Sequence, residues 1–214
     1  MDKNSRQWSE SSEVISMFPS LVWKTQLEPG LRDAARERIL AALADLRRDT
    51  PPLKVGQGWQ SVQNFHEHEA MRELVPCIDH CAAGVLRSLH IGTVDYELTG
   101  CWATVLAPGA SHRLHSHPNN FLSGVYYVRT GEGADTINFH DPRKQANVIR
   151  PPVTQLTAQN TDQVVVQVRE GTLLLFPAYL EHSVDANTSA DERVSISFNL
   201  MFSSFAQRLS KPLW

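Results

Sequence analysis

Two kinds of hydrophobic spacing divide the chain. Between Leu31 and Leu46, apolar side chains fall at Leu31, Ala34, Ala35, Ile39, Ala42 and Leu43, close to the helical period, with Gly30 in front and "RRDTPP" behind as a stop. The spacing predicts a first helix there. A second stretch, Glu69 to Leu89, repeats the pattern through Leu74, Ile78, Ala82, Val85 and Leu89, and sets Cys77 and Cys81 on adjacent helical turns. From Tyr96 onward the texture changes to short β-branched and aromatic runs separated by Gly, Pro, Asn and Asp: "ELTGCWATVLAPG", "LSGVYYV", "DTINFHDP", "QVVVQV", "TLLLFP" and "RVSISFNLMF". Six or more such strands predict a sandwich or closed barrel. The segment Lys144 to Asn160, with "RPP" and "AQN", reads as a long loop at a barrel mouth.

The last strand is the most informative. Val194, Ile196, Phe198, Leu200 and Phe202 make one apolar face, while Arg193, Ser195, Ser197 and Asn199 make the other. A solvent-facing polar face is the ordinary outcome for an amphipathic strand. Here that face carries one arginine and otherwise only small or amide groups, which suits the lining of a cavity. An arginine held in a cavity mouth needs an anionic partner.

Composition narrows the class. A chain of 214 residues buries roughly 70% of its unfolded surface, enough for one substantial core. The expectation is one domain over 1–214, with 1–95 as a helical support region and 96–204 as the β core. With 20 basic and 23 acidic residues the net charge is -3, which gives no electrostatic reason to expect nucleic acid. Cys77, Cys81 and Cys101 form no Cys-x-x-Cys pair and suit a reducing compartment. The polar start "MDKNSRQWSESSEVISMF" lacks a signal-peptide core, and no run approaches the ~20 apolar residues of a membrane span. A cytoplasmic protein that binds no membrane is expected; a homodimer through the helices or the final "KPLW" is conceivable.

"HRLHSHPNN", residues 112 to 120, places three histidines within six positions. If the segment is extended, His115 and His117 share a face about 7 Å apart at the backbone and can converge on one ion. His112 has the opposite parity; a bulge or turn could bring it round, but the simple reading leaves it outside that pair, facing substrate. The best third ligand is His182 in "LFPAYLEHSV", after the strand that ends at Phe176 and Pro177; His140 in "NFHDP" is its rival. Arg193 follows His182 by eleven residues, so on adjacent strands of one sheet both can face the same interior. A metal beside a guanidinium, whose fork matches a carboxylate, suggests a keto-acid co-substrate.

These residues also carry a resemblance. "HSHPNNFLSGVYYV", "DTINFHDPR" and "GTLLLFPAYLEHSVDANTSADERVSISFNL" resemble the Fe(II)- and 2-oxoglutarate-dependent oxygenases, particularly a bacterial group with a His-x-His motif. The resemblance spans roughly Trp102 to Met201 and extends weakly to "FPSLVW" and "GWQS". It implies a double-stranded β-helix, or cupin-like jelly roll, with the N-terminal helices packed on the outer face of one sheet. It implies Fe(II) held by His115, His117 and His182, and 2-oxoglutarate held by Arg193 with Ser195, Asn199 and, by analogy with the "YY" strand of prolyl hydroxylases, Tyr127. The implied reaction consumes dioxygen, releases succinate and carbon dioxide, and most often hydroxylates its substrate.

One departure stands out. Most of these enzymes carry Asp or Glu where this chain has His117, which raises the net charge of the site by one and leaves a ligand set that also suits Zn(II), Ni(II) or Cu(II). Asp141 is the nearest acidic alternative. Two other function classes fit the residues: a three-histidine cupin-type enzyme that does not use 2-oxoglutarate, and a jelly roll that binds a small ligand without turnover. Trp102, His112, Arg113, Asn119, Asn120 and Arg143 are the candidates to face a small polar, amino-acid-like or peptide substrate. Asn119 and Asn120, after Pro118, are equally good turn formers.

Overall fold

The computed structural model describes residues 9–92 and 94–208, with backbone alone at 146 and 147. The tail "KPLW" and the first eight residues lie outside the described residues. In chain order the elements are β1 (Trp23–Gln26), α1 (Pro29–Leu46), β2 (Gly58–Gln60), α2 (Leu74–Ser88), β3 (Tyr96–Leu106), β4 (His112–His115) and β5 (Leu122–Arg129). There follow β6 (Thr136–His140), β7 (Gln163–Gln167), β8 (Thr172–Pro177), β9 (His182–Val184), β10 (Arg193–Phe202) and α3 (Ser203–Ala206). The strands form two sheets, in the orders β1-β8-β5-β10-β3-β2 and β4-β9-β6-β7. All their named pairings are antiparallel. This is a jelly roll.

Each helix is placed by its apolar stripe. On α1, Ala35, Ile39, Ala42 and Leu43 are buried; on α2, Leu74, Ile78, Ala82, Val85 and Leu86 are. Both stripes join Val105, Tyr126, Leu173, Leu175 and Ile196, all from one face of the larger sheet, in a single core. A fully buried leucine or isoleucine contributes about 1.5–3 kcal/mol, so this layer fixes the larger sheet before any site is considered. The second helix starts later than its spacing suggests: residues Glu69–Met71 make one 3-10 turn and α2 begins at Leu74. Pro76 explains the break, because its ring would clash with the carbonyl of Arg72 if the helix continued backward through that position.

The opposite face of the larger sheet looks into the space between the sheets. Val125, Tyr127, Leu174 and Phe176 alternate with the helix-facing residues and pack there with Ile137, Phe139 and Leu180. The same alternation puts Val194, Ile196, Phe198 and Leu200 of β10 against the helices and turns Arg193, Ser195, Ser197 and Asn199 inward. Gly124 is required by this packing: it lies opposite Phe198, and a Cβ on it would stand 2.2 Å from that ring. Arg47, beyond the end of α1, donates to both carboxylate oxygens of Glu192 at 3.0 and 2.7 Å and lies over the Trp59 ring at 5.8 Å. That pair ties the start of β10, and hence Arg193, to the helical layer.

Two sequence expectations are corrected. His182 and Arg193 are not on adjacent strands of one sheet; β9 belongs to the smaller sheet and β10 to the larger, so the two residues meet across the barrel. The long loop after β6 contains a 3-10 turn at Lys144–Asn147 and is otherwise irregular until β7. Among the described residues, no helix is long and apolar enough to cross a membrane.

Candidate metal centre

A β-bulge builds one wall of the site. His115 pairs with His182, and His112 pairs with Val184, so three steps along β4 match two along β9. Residues 182 and 184 share a face of their strand, and the extra residue in β4 therefore brings both His112 and His115 to that face. The parity expectation for His112 is overturned by this insertion: the residue turns into the barrel, its ring 4.5 Å from that of His115. His117 follows in the turn after β4, where its backbone N–H donates to the carbonyl of Ala178 at 2.9 Å.

Three rings converge. Centroid separations are 4.3 Å for His115–His182, 5.0 Å for His115–His117 and 5.2 Å for His117–His182. One ring nitrogen from each lies within 4.8 Å of the others, a spacing that a single ion can bridge. The Nδ1 atoms of His115 and His182 lie 2.7 and 3.0 Å from the carbonyls of Arg113 and Leu180. A carbonyl can only accept, so both rings carry a proton on Nδ1, and in the neutral tautomer Nε2 is the nitrogen with the lone pair that binds a metal.

Burial favours the neutral form of His182, His117 and His112. It lowers His182 to about 3 and His117 and His112 to about 4, with repulsion from neighbouring imidazoles adding to the effect. Neutral imidazole is the metal-binding form. Behind His182, the rings of Phe176 and Phe139 stand 4.8 and 6.2 Å away and form an apolar backing.

Across the barrel the chemistry changes sign. Arg193 is 3% exposed and Tyr127 fully buried. The guanidinium lies 5.2 Å from the centre of the Tyr127 ring, and its Nη2 donates weakly to the carbonyl of Thr136 at 3.4 Å. Its Nε and the Tyr127 hydroxyl have no hydrogen-bond partner among the described residues. Burial pulls the guanidinium below its ordinary value and pushes the phenol up to about 12. The pair is thus a buried cation and a neutral O–H donor, with no acid among the groups that perturb either. Ser195 is buried opposite Tyr127. The Asn199 side-chain oxygen accepts from Ser123 at 2.7 Å.

The remaining candidates separate into inward and outward sets. Trp102 is 9% exposed, its ring centre 5.9 Å from that of His117, and its buried indole N–H has no hydrogen-bond partner among the described residues. His140 bonds Ser183 at 2.9 Å and stands apart from the three converging rings. Asp141 is taken up by Arg143 at 2.8 and 3.0 Å, and Arg143 itself is exposed, as is Arg113. Asn119 adopts φ 64°, and Asn120 bonds Thr99 and the carbonyl of Pro118, so both shape the turn that carries His117. Sequence reasoning missed the Thr136 carbonyl and the Phe139–Phe176 backing. Nothing local could have signalled the first, whereas the second could have been read from the inward parity of Phe176 and His182.

Comparison with known proteins agrees with this architecture. Residues 100–199 match the family described as "Putative 2OG-Fe(II) oxygenase". No curated protein sequence matches the chain. Among solved structures, a Pseudomonas putida prolyl-4-hydroxylase is 17% identical, with 86% of this chain and 93% of that one covered at a TM-score of 0.57. A Trichoplax adhaerens prolyl hydroxylase, solved with a peptide fragment of the hypoxia inducible factor oxygen degradation domain, is 13% identical over 88% and 87% of the chains, with a TM-score of 0.61. HygX from Streptomyces hygroscopicus, solved with nickel and 2-oxoglutarate, is 13% identical over 86% and 83%, with a TM-score of 0.60.

Proposed function

We propose that the protein hydroxylates a small polar, amino-acid-like or peptide-like substrate, as the match of residues 100–199 to the family described as "Putative 2OG-Fe(II) oxygenase" suggests. In this reading His115, His117 and His182 hold Fe(II), and Arg193 holds the far carboxylate of 2-oxoglutarate with Tyr127, Ser195 and Asn199 beside it. One observation carries it: a buried guanidinium with no carboxylate among the described groups that perturb it, on the sheet opposite three converging imidazoles. A metal held by the three imidazoles and a carboxylate held by the guanidinium would satisfy both.

The bound iron and co-substrate supply the oxidation, in which dioxygen, 2-oxoglutarate and a C–H bond give succinate, carbon dioxide and the hydroxylated product. The chain's own residues position and exclude. The Arg193 fork and the Tyr127 O–H offer a carboxylate three donors in a site that excludes water, where each is worth more than at the surface. Phe139 and Phe176 keep water from the rear of His182. Trp102, which leans on the triad, and Arg113, Asn119, Asn120 and Arg143 are the residues assigned to meet the substrate. The prolyl hydroxylases of similar fold favour an amino-acid or peptide substrate.

The test is anaerobic titration of the Fe(II)-loaded protein with 2-oxoglutarate, followed by admission of oxygen. A weak visible charge-transfer band and then succinate are expected; an intact, iron-loaded protein that gives neither refutes the reading. The absence of a carboxylate ligand favours one other reading, a three-histidine cupin-type enzyme in which Arg193 holds the substrate's own carboxylate. Turnover that needs no 2-oxoglutarate would select it.

A further inference from the structure

His112 has no part in the three-histidine set, yet the fold spends a β-bulge on turning it inward. Its ring is 4.5 Å from that of His115, inside the range of spacings within the triad itself. The nitrogens that converge within 4.8 Å of one another nevertheless belong to His115, His117 and His182. His112 is therefore placed to touch what the metal binds and not the metal.

The sheet register gives its direction. Phe139 lies opposite His182 and Asn138 opposite Ser183, so moving along β9 from His182 to Val184 runs toward Thr136. His112 sits opposite Val184, about 7 Å further along that line than the His115–His182 pair. Thr136 is the residue whose carbonyl meets the Arg193 guanidinium. The imidazole thus stands between the converging rings and the arginine, along the path a molecule linking the two must take.

We propose that His112 is a second anchor for the co-substrate, its imidazole N–H donating to the carboxylate that binds at the metal while Arg193 takes the carboxylate at the far end. The inference rests on the reading of the site given above. A metal-bound 2-oxo carboxylate brings negative charge into a region lined by Phe139, Phe176 and neutral rings, where an unmatched carboxylate oxygen is costly. An imidazole carries at least one N–H donor in either protonation state, so His112 can match that oxygen. His112 and Arg193 then read different halves of the same molecule. The first grips any 2-oxo acid, and the second grips only a diacid.

The experiment is calorimetric titration of the full chain loaded with Ni(II), which binds without turnover, using 2-oxoglutarate and pyruvate as probes. Pyruvate keeps the 2-oxo carboxylate and lacks the far one. His112→Ala is expected to weaken both by about tenfold, the ordinary worth of a hydrogen bond to a charged group. Arg193→Met should weaken 2-oxoglutarate and leave pyruvate unchanged. His112→Asn, which restores an N–H donor, should recover part of the loss and serves in place of the alanine variant if that one misfolds. Unchanged affinity for both acids in His112→Ala overturns the proposal, as does loss of Ni(II) from that variant, or an unaltered protein that binds 2-oxoglutarate but not pyruvate. If the unaltered Ni(II) protein binds neither acid, the oxygenase reading itself fails and this inference with it.

Discussion

Replacing Arg193 with methionine is expected to make the ligand-free protein more heat-stable while abolishing its response to 2-oxoglutarate. The side chain is 3% exposed, and no acid is among the groups that perturb it. A buried charge without a counter-ion carries a desolvation cost of several kcal/mol. Two contacts offset part of it. The Tyr127 face at 5.2 Å contributes at most about 2 kcal/mol for a desolvated cation. The 3.4 Å contact with the Thr136 carbonyl is long and contributes about 1 kcal/mol or less. A net penalty remains, and the flexible apolar chain of methionine fills a similar volume without it. Such replacements of buried ionic groups are neutral or stabilising by about 1–4 kcal/mol. At about 2–4 °C per kcal/mol for a chain of this size, the melting temperature should rise by ~2–16 °C. Thermal unfolding of the metal-loaded protein, followed by circular dichroism with and without 2-oxoglutarate, measures both effects. The unaltered protein should gain about 2.7 kcal/mol at a hundred times the dissociation constant, and the variant almost nothing. A variant that melts several degrees lower, or that keeps the full ligand-induced shift, would show that Arg193 holds the fold together and does not wait for an anion.

His182→Ala or His115→Ala should abolish metal retention in equilibrium dialysis, whereas His112→Ala should retain the ion; the opposite pattern would reassign the ligands. Gly124→Ala should cost about 1–3 kcal/mol in urea unfolding, because the methyl would meet the Phe198 ring at 2.2 Å and the Leu174 carbonyl at 2.9 Å; a loss below about 0.5 kcal/mol would mean that the ring moves freely aside. For the metal-free protein, burial holds His112, His117 and His182 at about 4, 4 and 3, below the ordinary 6.5. The unfolded chain therefore takes up protons first, and stability should be complete above pH 6.5 and fall toward pH 4, by at most about 1.4 kcal/mol per pH unit for each ring. A melting temperature that stays flat between about pH 7 and 5 would count against neutral, buried rings.

What was legible in the sequence was whatever declared itself over several residues of one strand or helix. The ten residues of β10 repeat their alternation often enough to separate a helix-facing side from a cavity-facing one, and both sides stand where the alternation put them. The stripe on α1 was equally clear. The four short strands β1, β2, β4 and β9 left almost no trace, because three or four residues hold too few alternations and their pairing partners lie far away in the chain. Yet two of those strands, β4 and β9, build the metal centre. Parity linked His115 to His117 and failed for His112, since one inserted residue flips the face and no local composition marks where the insertion falls. The eleven-residue gap between His182 and Arg193 suggested neighbours in one sheet, but the chain uses that gap to cross from the smaller sheet to the larger. That crossing is what sets three converging imidazoles and a guanidinium on opposite sheets of the barrel. Residues side by side in one sheet would have left no room for a molecule to join the two.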